Sequence, residues 1–98
     1  MTVRIQEEAR KEIRDGFDFY NHEKSGLGSE FLDELKRSLL RVSDNPFAWP
    51  KLSKNTRKCI VHRFPFVIIY SCDNDELIVH AVAHFRRKPD YWKYQKGQ

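Results

Sequence analysis

The sequence predicts an α+β fold in which an antiparallel helical hairpin packs on one face of an antiparallel sheet. In the first half, apolar residues recur at helical spacing in two segments that a short glycine-containing turn joins. In the second half, three segments rich in β-branched and aromatic residues follow one another across short turns. The 98 residues, 40% of them hydrophobic, suffice for one domain with a small core, so we expect residues 1–98 to form a single domain.

The N-terminal segment predicts a strand followed by a helix. Val3 and Ile5 alternate with polar neighbours, as in a short strand that opens a sheet. Over residues 7–24 apolar side chains recur at steps of four, four and three, which places them on one face of a helix. This stripe consists of Ala9, Ile13, Phe17 and Tyr20. Gly16 weakens the predicted helix without necessarily breaking it.

A second helix is predicted after a turn at residues 25–28. Ser29 is the expected N-cap, because a serine oxygen accepts from a free backbone N–H at the start of a helix. The apolar stripe of this helix is Phe31, Leu35, Leu39 and Val42. The helix is expected to end near residues 44–46, since Pro46 disfavours helical geometry in the residue before it. Two such helices joined by about four residues pack as an antiparallel hairpin.

The second half predicts a loop, three strands and a tail. Residues 47–56 are expected to form a loop anchored by apolar side chains. The strands are expected at residues 57–64, 66–72 and 77–84, and their short connections favour an antiparallel meander. The last segment, 85–98, starts basic and is aromatic, and its Pro89 suits the start of a short terminal helix.

Several classes of function are excluded by composition and motifs. The longest apolar run, residues 66–70, is far shorter than the roughly 20 residues of a membrane helix. With no signal-peptide core at the N-terminus, we expect a cytoplasmic chain whose Cys59 and Cys72 are free thiols. Glycine-rich phosphate loops and the serine elbow of hydrolases are absent from the sequence.

No metal or other cofactor is expected. His80 and His84 are the closest pair of histidines in the sequence. In a strand they are predicted to share one face at a distance of about 13 Å, because each residue advances the strand by about 3.3 Å. That distance is too long for a shared metal ion.

Charge is divided unequally along the chain. Residues 1–49 carry eight Lys/Arg against ten Asp/Glu, whereas residues 50–98 carry ten against four. The net charge is therefore −2 in the first half and +6 in the second. A basic half attracts nucleic acid or an acidic protein segment, although it is also compatible with an ordinary solvated surface.

Cations, a histidine and aromatic residues of the second half are the candidates for a functional site. A histidine base, a cation and a tyrosine acid are the groups that RNA cleavage by the 2′-hydroxyl requires. The tail aromatics would alternatively stack on unpaired bases or simply pack on the sheet. The candidates are Arg57, Lys58, Arg63, His84, Arg86, Arg87, Tyr91 and Trp92.

The sequence resembles the RelE/ParE superfamily of toxins from bacterial type II toxin–antitoxin systems across nearly its whole length. The resemblance rests on the order of elements and on four stretches. These are residues 39–46, Arg57, residues 66–70 and residues 78–92, which include His84 and the following basic run. It implies a toxin that a cognate antitoxin, expected to contribute an acidic segment, holds inactive.

Two activities are implied by the resemblance. ParE-like members inhibit DNA gyrase, and His84 followed by Arg86, Arg87 and Asp90 resembles that branch. RelE-like members cut messenger RNA at the ribosome. Lys58, Arg86 and Tyr91, or Trp92 by a shift of one residue, match positions of those ribonucleases. In contrast, Ile60 and Val67 stand where further basic residues are typical.

Our first hypothesis is a ParE-like toxin that binds a protein target such as DNA gyrase. Its expected contact residues are Arg57, Lys58, Arg63, Arg86, Arg87 and Trp92. The alternative is a metal-independent endoribonuclease in which His84 is the general base, Arg86 and Lys58 stabilise the phosphorane, and Tyr91 is the acid. A third alternative is an inactive member of the superfamily.

Overall fold

The order of helices and strands agrees with the prediction. A computed structural model describes residues 1–85, and residues 86–98 lie outside the described part. The elements are β1 (Thr2–Ile5), α1 (Glu7–Glu23), α2 (Leu27–Asp44), β2 (Arg57–Ile60), β3 (Phe66–Asp73) and β4 (Glu76–His84). Over residues 1–85, no helix has the length and apolar character to cross a membrane. The predicted terminal helix at Pro89 falls outside the described residues.

The four strands form one sheet in the order β1-β4-β3-β2. The meander is confirmed, because β2 pairs antiparallel with β3 and β3 antiparallel with β4. β1, however, pairs parallel with β4, from Thr2 opposite Glu76 to Ile5 opposite Val79, so the sheet is mixed. A strand's pattern of apolar residues does not specify its partner. A parallel pair also needs a long connection, which here includes the helical hairpin, β2 and β3.

β2 is shorter than expected. It ends at Ile60 instead of continuing to residue 64. The following residues form the turn to β3, in which Arg63 adopts a φ of 72°. A side chain with a Cβ is uncommon in this left-handed region, so a turn centred on an arginine is not predictable from residue type.

Two glycines bring the helices of the hairpin close together. A Cβ atom on Gly16 would lie 2.7 Å from the ring of Phe31. A Cβ atom on Gly28 would lie 2.6 Å from the carbonyl oxygen of Phe17. Gly16 therefore lowers the helix propensity of α1 but makes room for an aromatic side chain of α2.

α2 begins two residues before the predicted N-cap. Gly26 occupies the N-cap position, and Ser29 lies inside the helix. The side-chain oxygen of Asn21 on α1 accepts a hydrogen bond from the N–H of Gly28 at 2.8 Å. The prediction of Ser29 as the cap was wrong because the neighbouring helix supplies the oxygen that a local serine usually supplies.

The main core lies between the hairpin and the sheet and is rich in aromatic rings. Phe31 has no exposed surface, and its ring centroid lies 4.9 to 5.4 Å from those of Tyr20, Phe64 and Phe66. The predicted stripe of α2 faces this core, as does that of α1 at Ala9, Ile13 and Tyr20. Cys59 is buried here as a free thiol, and burial raises its pKa.

β4 contains one more residue than the stretch of β3 beside it. Ile69 is opposite Ala81, and Tyr70 is opposite Val79, so His80 is the extra residue between these two pairs. An extra residue of this kind is a β-bulge, which changes the side of the sheet to which later residues point.

The bulge separates the two histidines of β4. His84 is opposite Phe66, whose ring belongs to the main core, so His84 lies on the helix side. His80 shares a 2.8 Å hydrogen bond with the hydroxyl of Ser71, a residue that alternates with the core residues of β3. The prediction that His80 and His84 share one face was therefore wrong, because the bulge lies between them.

Candidate functional site

His84 lies in a groove between α1 and the end of β4, which we call the acidic groove. The His84 ring packs edge-on against Phe66 with a centroid distance of 5.3 Å. The groove has a volume of 280 Å³. It is lined by Glu12, Asp15, Gly16, Phe19, Tyr20, Phe66, Val82 and His84. The imidazole thus faces carboxylates and aromatic rings.

The acidic groove exists because β4 is longer than β1. β1 pairs with β4 only up to Val79, and within residues 1–85 no strand lies beside the rest of that edge. The N–H of the buried Val82 instead donates to the Glu12 carboxylate at 2.9 Å. A side chain of α1 therefore accepts the hydrogen bond that a longer β1 would have accepted.

Lys58 lies on the other face of the sheet. It is opposite Ile69, which forms a small apolar cluster with Ala81 and Leu52, separate from the main core. Residues directly opposite each other on neighbouring strands share a face, so Lys58 is on the outer face. The structure does not bring Lys58 together with His84, and the geometry gives no support to a single ribonuclease centre containing both.

The outer face is apolar at the two positions where the ribonuclease pattern is basic. Ile60 and Val67 are opposite each other on β2 and β3. Ile60 is 55% exposed, so this part of the sheet presents a hydrocarbon surface. Such a surface offers no charge to hold a phosphate.

Arg57 holds the loop that precedes β2. Its guanidinium donates to the carbonyl oxygens of Phe47 at 3.1 Å and Trp49 at 2.7 Å, and it lies 5.5 Å from the centre of the Phe47 ring. Tyr70, directly opposite Arg57, donates its hydroxyl to the carbonyl of Pro46 at 2.6 Å. Arg57 is therefore a structural anchor as well as a predicted contact residue.

Arg63 is bound to α2. Its guanidinium lies 2.7 Å from a carboxylate oxygen of Glu30 and 3.7 Å from one of Glu34. The hydrogen bond from Arg63 lowers the pKa of the Glu30 carboxyl. These ion pairs fasten the turn between β2 and β3 to the hairpin.

The predicted site residues do not form one surface in the described part of the chain. Arg57 lies at the loop before β2, and Lys58 lies on the outer face of the sheet. Arg63 is bound to α2, and His84 is in the acidic groove. The other four, Arg86, Arg87, Tyr91 and Trp92, are outside the described residues.

A second concave region, not predicted from the sequence, lies between the loop before β2 and the end of β3. We call it the basic cleft; its volume is 520 Å³. It is lined by Phe47, Lys51, Lys54, Asn55, Thr56, Arg57, Tyr70, Ser71, Cys72, Asp73 and Ile78. The signal that could have found it is the density of cations in residues 51–58, which include Lys51, Lys54, Arg57 and Lys58.

Comparisons with known proteins give consistent results. The model of a family described as "ParE toxin of type II toxin-antitoxin system, parDE" matches residues 3–89. The fold is similar to a structure of the chromosomal ParDE system from P. aeruginosa, with a TM-score of 0.74 and 14% sequence identity over 86% of this chain and 95% of that chain. No curated protein sequence matches this chain.

RelE structures are also similar in fold. The intact E. coli RelBE complex gives a TM-score of 0.65 and 20% identity over 88% of this chain and 98% of that chain. The isolated E. coli RelE toxin gives a TM-score of 0.64 and 20% identity over 98% of this chain and 96% of that chain. These likenesses establish a shared fold, which by itself does not determine activity.

Proposed function

The chain belongs to the ParE toxin family of type II toxin–antitoxin systems, and from this premise we propose that it binds and inhibits a protein target such as DNA gyrase. The observation that carries the proposal is the match of the family model to residues 3–89. Gyrase acts on DNA in the cytoplasm, so the proposal also places the toxin there.

The geometry of the described residues favours this activity over RNA cleavage. Ile60 and Val67 give the outer face an apolar surface. Lys58 and His84 are on opposite faces of the sheet. General acid–base catalysis requires groups within hydrogen-bond reach of the same substrate atoms, which these two positions do not provide.

The proposed inhibitor of the toxin is a cognate antitoxin with an acidic segment. The similar P. aeruginosa and E. coli structures are described as a ParDE system and a RelBE toxin–antitoxin complex. This chain carries a net charge of +4, concentrated in residues 50–98. Opposite charge on the partner would speed association and favour the correct pairing.

We assign target binding to Lys58 together with Arg86, Arg87 and Trp92 of the tail. Arg57 and Arg63 were predicted to belong to the same surface, and each also has a structural partner. Substitution of either would therefore change the loop or the turn as well as any target contact. Lys58 and Arg86 are the better residues for a test.

Supercoiling of plasmid DNA by gyrase, measured with the full-length toxin, tests the proposal. Inhibition is expected, as is its reversal by the cognate antitoxin. Lys58→Ala with Arg86→Ala should weaken inhibition, because the loss of two interface cations lowers the free energy of target binding by about 1 to 3 kcal/mol. Lys11→Ala with Lys36→Ala, which removes the same charge from exposed positions on the helices, is the matched control.

Primer extension on messenger RNA in a translating extract provides the opposing readout. Uncut RNA together with blocked supercoiling would support the ParE-like activity. Discrete cuts that disappear in the Lys58→Ala and Arg86→Ala variant would overturn it in favour of the ribonuclease, since transition-state contacts lower the rate by far more than tenfold.

A further inference from the structure

The basic cleft is a gap in the sheet that the described part of the chain leaves open. Arg57, the first residue of β2, is opposite Tyr70, whereas β3 continues to Asp73. Within residues 1–85, no strand lies beside Ser71, Cys72 and Asp73 on the β2 side. Lys51 and Lys54, on the loop, form the opposite wall together with their neighbours. The cleft therefore combines the edge of β3 with the ammonium groups of two lysines.

The lysines of the basic cleft lack acidic partners within residues 1–85. The ion pairs of that part of the chain join Arg4 to Glu76, Arg14 to Glu7, Arg37 to Glu34, and Arg63 to Glu30 and Glu34. Neither Lys51 nor Lys54 takes part in them, and no carboxylate of residues 1–85 lies within 4.0 Å of either ammonium. Asp73, at the end of β3, also lines the cleft, so the three cations Lys51, Lys54 and Arg57 share it with one carboxylate. The lining therefore keeps a net positive charge that an anionic ligand can neutralise.

The basic cleft also contains an aromatic ring, that of Phe47. Phe47 lines the cleft and is 65% exposed, although Arg57 lies over its ring. The side chains of Asn55 and Ser71 add neutral hydrogen-bonding groups to the lining. A volume of 520 Å³ falls within the range of about 300 to 1,000 Å³ that is typical of small-ligand sites.

We propose that the basic cleft binds a phosphate-bearing ligand of nucleotide size, with its phosphates at Lys51 and Lys54 and its base on Phe47. The missing glycine-rich motifs exclude phosphate loops, but lysine ammonium groups also bind phosphate as point charges. Two cations beside an exposed ring fit a nucleotide better than an acidic peptide, which has no planar base to stack on Phe47. The proposal is independent of the target of the toxin.

Isothermal titration calorimetry of the full-length protein tests the site. The ligands are ADP, inorganic pyrophosphate and an oligothymidine of about 12 nucleotides. Lys51→Gln with Lys54→Gln should weaken the binding of all three by about tenfold, because both phosphate contacts are lost. Lys11→Gln with Lys36→Gln removes the same charge from exposed sites on the helices and should leave binding nearly unchanged.

A second pair of variants tests the role of the ring. Phe47→Ala should weaken ADP binding by about fivefold through loss of stacking and leave pyrophosphate binding unchanged. Phe19→Ala, at an exposed ring in the acidic groove, is the matched control. Tighter binding of the oligothymidine than of ADP would identify a nucleic-acid strand as the source of the phosphate, and equal affinities would identify a free nucleotide.

Three results would overturn the proposal. One is the absence of binding to all three ligands at concentrations up to about 1 mM. Another is an equal loss of affinity in the cleft variant and the helix control, which would mean that charge acts diffusely. The third is binding of a glutamate-rich peptide, but not of ADP, that depends on Lys51 and Lys54, which would make the cleft a peptide site.

Discussion

The acidic groove and the basic cleft both arise where one strand is longer than its neighbour, yet the chain treats them differently. At the acidic groove β4 passes the end of β1, and the Glu12 carboxylate satisfies the N–H of Val82. At the basic cleft β3 passes the start of β2, and two lysines face the gap without an ion pair in the described part of the chain. An unequal strand length is thus compensated by a side-chain hydrogen bond at the acidic groove, whereas at the basic cleft it leaves a charged surface open.

The largest expected difference between the two regions concerns their aromatic residues. Phe31→Ala, behind the acidic groove, should lower the free energy of unfolding by about 3 to 5 kcal/mol, because a fully buried ring leaves a cavity. Phe47→Ala, at the rim of the basic cleft, should lower it by less than about 1 kcal/mol, because the ring is exposed and loses only its contact with the Arg57 guanidinium. Urea unfolding followed by circular dichroism measures both; similar losses would show that the cleft is part of the core.

The next effect concerns the carboxylate that closes the acidic groove. Glu12→Ala should lower the free energy of unfolding by about 1 to 3 kcal/mol, since the buried N–H of Val82 loses its acceptor. Asp18→Ala, at an exposed position of the same helix, should cost less than about 0.5 kcal/mol. Hydrogen exchange at the Val82 amide should accelerate only in the first variant. Unchanged exchange would mean that another group satisfies this N–H.

A smaller effect is expected at the loop that forms one wall of the basic cleft. Tyr70→Phe removes the hydrogen bond to the carbonyl of Pro46 and should lower the free energy of unfolding by about 1 kcal/mol. Burial raises the pKa of Tyr70 to about 12, above the usual value of 10.0. The stability that the neutral phenol contributes is therefore complete below pH 10 and is lost as the pH rises toward 12.

Alkaline unfolding curves of the wild type and Tyr70→Phe measure this contribution. The wild type should lose more stability than the variant across that pH interval. Parallel curves for the two proteins would contradict a buried, hydrogen-bonded phenol at this position.

The smallest effect on stability is expected from the lysines of the basic cleft. Lys51→Gln with Lys54→Gln should change the free energy of unfolding by less than about 0.5 kcal/mol, because neither side chain has an ion pair to lose within residues 1–85. Any change should diminish at physiological salt, which screens surface charges. A loss above about 1 kcal/mol, measured by urea unfolding, would show that the lysines hold the cleft together.

Local patterns predicted most of the elements but little of the candidate site. The stripes that contain Phe31 and Tyr20 identified both helices, since helical periodicity is a property of neighbouring residues. The cap of α2 escaped prediction because Asn21 acts from the other helix. The separation of Lys58 from His84 escaped prediction because it depends on the register of three strands. Lys58 is opposite Ile69, which is opposite Ala81. His84 lies three residues after Ala81, an odd number, and therefore points to the other face of the sheet. Such pairing joins distant segments, so no local pattern specifies it.

The sequence alone determined the α+β class, the order of the elements and the basic character of the second half, since these depend on spacing and composition. The tertiary structure decided that β1 pairs parallel with β4, that Glu12 serves the edge of β4, and that Lys51 and Lys54 face a cleft. These features join residues far apart in the chain or depend on unequal strand lengths. Long-range pairing is selected by the burial and hydrogen bonding of the whole fold, which no local pattern encodes.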